Sequence, residues 1–176
     1  MEKTIKTGNP TAADTRVRTI VTTALLAALA CASTMVIRVP SPTGGYMNLG
    51  DTVVLLGAFL LGPWYGALAG GVGSAMADFL SGYMVYVPAT LLVKAVMAIL
   101  TGLLYRGMKE KSGGIIFSAV VGEVPMVLGY WLFDALLLHS FAGSAAGIPS
   151  NLVQAGFGVA VSVFLVAALR KSGYVR

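Results

Sequence analysis

The chain has 176 residues, 57% of them hydrophobic and 11% charged, with a mean hydropathy of +0.84. Soluble domains carry about 25% charged residues, so this composition excludes an ordinary soluble domain and points to one membrane-embedded unit. The net charge of +5 would suit nucleic acid, but the basic residues flank apolar runs rather than alternating with aromatics, which is the pattern of membrane orientation.

In chain order, residues 1–16 form a polar segment, too long before the first apolar run to be a signal peptide, and it is expected to be cytoplasmic. A membrane domain is expected over 17–170 and a cytoplasmic tail over 171–176. The first apolar run has nineteen uncharged residues between Arg18 and Arg38 and predicts a helix over 17–38. Cys31 within it is the sole cysteine, so no intramolecular disulfide can form and a small buried hydrophobe is its expected role. Residues 52–77 then carry no charge at all. As one helix they would run about 39 Å, well beyond a hydrocarbon core of roughly 30 Å. Gly62-Pro63 interrupts them, because proline lacks a donor and disfavours helix in the residue before it. Two helices, about 49–61 and 63–82, are predicted there, followed by 88–105, 114–138 and 149–169.

Charge parity supports the break. Ten of the twelve Lys and Arg fall in three groups: Lys3, Lys6, Arg16 and Arg18; Arg106, Lys109 and Lys111; Arg170, Lys171 and Arg176. If all three groups are cytoplasmic, an even number of crossings separates each pair. Six helices with both termini inside satisfy this, the second being short for a full span. Segments 39–51, 81–88 and 139–151 then lie outside. The first and last are long, glycine-rich and almost uncharged, as lids over a site would be.

Ionisable groups in hydrocarbon are costly and mark partners or water-filled cavities. Asp78, Lys94, Asp134, Asn151 and Gln154 all reach the outer level, beside Tyr83, Tyr86, Tyr130 and Trp131. Aromatic walls with a few convergent polar groups describe a small-molecule pocket. Asp78 has a plainer role open to it, as a helix-end group paired with Lys94, and the aromatics could be interfacial anchors. Glu123 lies deeper, and could instead answer the backbone irregularity of Pro125. Gly62, Gly66, Gly70 and Ser74 recur every four residues and predict close helix packing, with Asp78 as the next step of four.

Catalytic patterns are missing: there is no Ser-His-Asp arrangement of credible spacing, HExxH, CxxC or Walker A. The chain is therefore expected not to be an enzyme and to need no cofactor. His139 has no second histidine beside it, and the acidic groups lack metal-ligand spacing, so no metal site is expected.

The stretch "MNLGDTVVLLGAFLLGPWYGALAGGVGSAMADFLSGY" followed by "PATLLVKAVMAILTGLLY" resembles the substrate-binding S component of energy-coupling factor (ECF) vitamin transporters, in the riboflavin-type branch. "EVPMVLGYWLFDALL" and "GIPSNLVQAGFG" continue the resemblance, which covers about residues 17–170. It implies an all-α integral membrane protein, a compact bundle of six transmembrane helices in a bacterial cell membrane. Such a protein captures a vitamin or related compound outside and works with a transmembrane coupling subunit and two ATPase subunits. Family members carry an AxxxA-type stripe facing the coupling subunit; Ala24, Ala28 and Ala32 supply it here, with Ala27 beside them. The family pocket lies near the outer surface under the first loop, which implies substrate-binding roles for Tyr83, Tyr86, Lys94, Tyr130, Trp131, Asp134, Asn151 and Gln154, with Asp78 and Glu123 as further candidates. A flavin needs a large aromatic slot, whereas pyridoxine or a hydroxymethylpyrimidine suits a small one with both charge signs. Two rivals stay open: a stand-alone secondary transporter with Asp78, Glu123 and Asp134 carrying protons, and a membrane-embedded lipid-modifying enzyme.

Overall fold

A computed structural model describes residues 11–108, 111 and 113–173. Residues 1–10 and 174–176 of the expected cytoplasmic segments, and Lys109, lie outside the described residues. The elements are α1 (Ala12–Val36), β1 (Arg38–Pro40), β2 (Tyr46–Asn48), α2 (Gly50–Leu61), α3 (Pro63–Leu80), α4 (Val87–Met108), α5 (Gly114–Leu138), α6 (Phe141–Ser144), a 3-10 turn (Ala145–Gly147) and α7 (Ile148–Lys171). Four helical stretches are long and apolar enough to cross a membrane: α1, α4, α5 and the run Phe141–Lys171.

One expectation needs correction. The first helix starts at Ala12, inside the segment expected to precede the membrane domain, because Thr11 and Asp14 form a reciprocal cap. Thr11 Oγ1 accepts the Asp14 N–H at 3.2 Å, and Asp14 Oδ2 accepts the Thr11 N–H at 2.9 Å. That arrangement satisfies two of the donors left free at a helix start. The first outer segment, expected to be a lid, holds a short hairpin: Arg38–Pro40 pairs antiparallel with Tyr46–Asn48, and α2 begins at Gly50, in keeping with the helix expected over about 49–61.

The bundle is built around α2. Its residues Gly50–Phe59 are all buried, since "VVLLGAFLL" is apolar on every face and must be surrounded. It packs against α1, α3, α4 and α7. At twelve residues it is only about 18 Å long, so the hairpin occupies the space beyond its start.

The glycines of α3 let this crowding happen. A Cβ on Gly66 would stand 2.8 Å from Cα and N of Ala58, and one on Gly70 2.8 Å from Val54 Cγ1. Gly73 faces α1, where a Cβ would come within 2.3 Å of the Ala27 carbonyl oxygen. The expected break is present: Gly62 adopts φ +80° between α2 and α3 with Pro63 opening the next helix. Left-handed backbone of this kind costs glycine least.

Side-chain contacts assign the ends of the bundle. The guanidinium of Arg106 lies against Gly62, and Arg170 donates to the Tyr105 hydroxyl. Thr34, near the end of α1, lies against Gly50, so the α1 start with Arg16 and Arg18 points the other way. Apart from Arg38 in β1, the described basic groups next to the helix ends thus gather at the end that holds the Gly62-Pro63 turn, and the hairpin covers the opposite end.

Candidate functional site

At the hairpin end, side chains from β1–β2, α3, α4, α5 and α7 enclose a cavity. The cavity volume is ≈ 30 Å³, and it opens partly to the surface. One buried water needs about 10–15 Å³, so the cavity has room for two or three. Its walls include Asp78, Thr90, Tyr130, Asp134, Asn151 and Gln154 from the helices and Thr43, Tyr46 and Asn48 from the hairpin region.

The floor is an ion-paired knot. The Lys94 ammonium meets Asp51 Oδ1, and both residues are 1% exposed. Gln154 Nε2 donates to Asp51 Oδ2 at 2.7 Å, and Gln154 Oε1 accepts the Asn48 N–H at 2.6 Å. One buried carboxylate therefore ties α2 to α4 and α7, and the same glutamine holds the hairpin. A buried ion pair repays its desolvation only when its remaining hydrogen-bonding positions are filled, and here Gln154 fills one.

The roof is made of two segments that meet. A Cβ on Gly147 would stand 2.9 Å from Thr43 Oγ1 and 3.5 Å from Asp134 Oδ2, so the bare glycine lets the turn before α7 sit on the hairpin tip without displacing the Thr43 side chain. Tyr86 supports the tip from below, donating to Asp134 Oδ1 at 3.0 Å with the Thr43 carbonyl at 3.4 Å. Tyr46 donates to Asp78 Oδ1 at 2.5 Å. Burial, followed by hydrogen bonding and charge from these carboxylates, pushes both phenols above the ordinary phenol range. They therefore remain donors at neutral pH.

The expected site residues divide three ways. Tyr86, Tyr130, Asp134, Asn151, Gln154 and Asp78 line the cavity. Tyr83 and Trp131 stand outside its lining: Tyr83 packs against Tyr46 with centroids 4.6 Å apart and the rings tilted by 55°, and Trp131 Nε1 donates to the Phe141 carbonyl at 3.2 Å. Both brace the roof. Lys94 lies one turn beyond Thr90, under the Tyr130 ring at 5.3 Å. Its ion-pair partner is Asp51, not Asp78. Glu123 is 3% exposed, yet neither carboxyl oxygen has a hydrogen-bond partner, so it does not serve the backbone freed by Pro125. It faces Gly158, where a Cβ would come within 2.9 Å of Oε1 and 3.0 Å of the Asp51 Cβ.

The sequence reading missed Asp51, Tyr46, Asn48, Thr43 and Thr90. Asp51 carried a usable signal: a buried lysine demands an anion, and Asp51 is the acidic residue in the first turn of a short helix that is otherwise almost wholly apolar. Ala24, Ala28 and Ala32 are exposed on α1, while Ala27 and Ala30 are the residues that meet Gly73. Two shallow apolar grooves flank the exposed alanines, ≈ 230 Å³ beside Ala24 and ≈ 410 Å³ beside Ala28 and Ala32.

Known proteins match this architecture. The family model for the ECF-type riboflavin transporter S component matches residues 14–171. An uncharacterized protein in a gap 3' region of Pyrococcus woesei is 37% identical over 140 residues, which is 79% of this chain and 93% of that protein. The solved structure described as "Structure and mechanism of the S component of a bacterial ECF transporter" superposes with a TM-score of 0.72. It shares 19% identity over 89% of this chain and 97% of that one, a likeness of fold. The chain belongs to the ECF-type riboflavin transporter S component family: it is the substrate-binding subunit of an ECF transporter. That family is one of transporter components rather than enzymes.

Proposed function

We propose that this subunit sits in the cell membrane with six crossings and both termini cytoplasmic, and captures a small water-soluble heterocycle in the cavity under the hairpin. Positive charge is retained on the cytoplasmic side. The gathering of Arg16, Arg18, Arg106, Arg170 and Lys171 at the end opposite the hairpin supports this orientation. The membrane domain then runs over about 17–170, with polar segments at either end.

One observation carries the binding role. Groups from five elements converge on one small cavity beneath two segments that meet at Gly147 and Thr43. Parting them at that contact widens the entrance, while Gln154 keeps the base of the hairpin on the ion-paired floor. The small volume of the site favours a single ring over a fused flavin. Tyr86, Tyr130, Asp134, Asn151, Gln154 and Asp78 contact the ligand; Lys94 acts through Asp51 and Gln154; Tyr83 and Trp131 steady the roof. The exposed alanine face of α1 docks on a transmembrane coupling subunit served by two ATPase subunits, because small side chains permit close backbone approach. The subunit itself catalyses no reaction and binds no cofactor or metal.

Asn151 tests the cavity, since it lines the space and no described residue hydrogen-bonds its side chain. Native mass spectrometry of the detergent-purified chain should find a small heterocycle bound. Losing one buried hydrogen bond costs about 1–3 kcal/mol, or roughly ten- to a hundredfold in affinity. Asn151→Ala should weaken titrated binding of that compound by this factor. Unchanged affinity would move the site elsewhere. The stand-alone proton-coupled reading draws on the unbonded carboxyl of Glu123, and uptake by this chain without any ATPase would favour it.

A further inference from the structure

The charges of the cavity constrain what can occupy it. Among the described residues the buried carboxyl groups are Asp51, Asp78, Glu123 and Asp134, whereas Lys94 is the one buried cation. Lys94 is spent on Asp51. Two of the acids, Asp78 and Asp134, line the cavity, and no described Lys, Arg or His does. They are 4% and 3% exposed.

Each of these two carboxylates takes a tyrosine hydroxyl on Oδ1. Asp134 Oδ2 accepts no hydrogen bond from any described residue. It differs from the oxygens of Glu123, which are unpartnered and sealed; Asp134 Oδ2 is open to the cavity. An ionised carboxylate withdrawn from water costs several kcal/mol unless a cation or good donors replace the lost hydration. Phenol donors offset part of this cost and bring no charge. Arg38 lies over the Tyr46 ring at 5.9 Å, outside the lining, so Asp134 Oδ2 still lacks a positively charged N–H partner within the cavity, which Tyr130 and Thr90 also line.

We infer that the substrate is a small nitrogen heterocycle that is cationic when bound, with ring or amino N–H groups on Asp134 and its charge balanced by Asp78 and Asp134. This inference rests on the cavity being the substrate site. It sets aside the slot of both charge signs expected from Lys94, because that charge is neutralised beneath the cavity. A substrate bearing a carboxylate would add a third anion to the space. A neutral fused flavin would leave Asp134 without a charged partner.

The test is isothermal titration of the purified full-length chain with four probes: 4-amino-5-hydroxymethyl-2-methylpyrimidine (protonatable), thiamine (a permanent cation), riboflavin (neutral) and pantothenate (anionic). At least one of the first two should bind 100-fold or more tightly than pantothenate and more tightly than riboflavin. Asp134→Asn, which keeps shape and removes charge, should weaken that probe ten- to a hundredfold with the thermal midpoint preserved. If Asp134→Asn does not fold, Asp78→Asn supplies the same comparison. Tightest binding of riboflavin or pantothenate, or failure of both cationic probes, overturns the inference. In the first case a loss of affinity in Asn151→Ala would leave the cavity standing as the site, and an unaffected Asn151→Ala would remove both.

Discussion

Two helices of this protein carry small residues at four-residue spacing, and the fold uses them in opposite ways. On α3, Gly66 and Gly70 lie against Ala58 and Val54 of α2, while Gly73 lies against the Ala27 carbonyl of α1. On α1, Ala24, Ala28 and Ala32 face outward and nothing in the described chain covers them. The pattern states how closely a neighbour could approach. Whether this chain or another supplies that neighbour depends on where the helices pack.

Gly73→Val should produce the largest difference between the two stripes. Even a bare Cβ would stand 2.3 Å from a backbone oxygen that cannot rotate aside, so α1 must part from α3. Overpacking costs about 1–3 kcal/mol and occasionally more, and the top of that range corresponds to a fall of roughly 6–12 °C in thermal midpoint for a chain of this size. An unchanged midpoint in a thermal-unfolding assay would show that α1 is not seated there.

Gly66→Ala is a gentler probe, of the seam between α3 and α2. Alanine gains about 0.5–1 kcal/mol over glycine in an unobstructed helix. A net loss therefore measures the contact with Ala58, and a fall of roughly 2–4 °C is expected. A rise in midpoint would mean that α2 can give way.

The smallest effect on stability belongs to the bare stripe. Ala28→Trp should change the unfolding free energy by less than about 0.5 kcal/mol, as exposed positions do, and leave ligand affinity near normal. Uptake with the ATPase module should nevertheless collapse, because the bulky ring holds the coupling subunit away. If binding and stability fall together with uptake, the stripe packs within this chain and the proposed docking face is wrong.

The helices were legible along the chain because their signals are local. An apolar run needs no partner to announce itself, and the α5 prediction of 114–138 coincides with Gly114–Leu138. The Gly62-Pro63 break was equally readable, since a missing donor and a left-handed residue are properties of those two positions. The helix α1 starts earlier than its apolar run, because the Thr11–Asp14 cap extends it into a polar stretch. The hairpin is not legible along the chain: its strands are three residues each, too short for any alternation to stand out, and it is held by partners such as Gln154 and Tyr86 far along the chain.

The same division runs through the site. Composition and order of the segments determined that this is a helical membrane protein, and the depth of its polar residues brought Tyr86, Tyr130, Asp134, Asn151 and Gln154 to one level. Depth is a coordinate along each helix, so it can be counted from residue numbers. Rotation and pairing are not. Lys94 and Asp78 share that level, yet Lys94 turns to Asp51 and leaves the cavity bounded by carboxylates. Asp51 and Lys94 lie 43 residues apart, and only the packing of α2 inside the ring of its neighbours decides which anion the lysine meets. That choice sets the charge of the cavity.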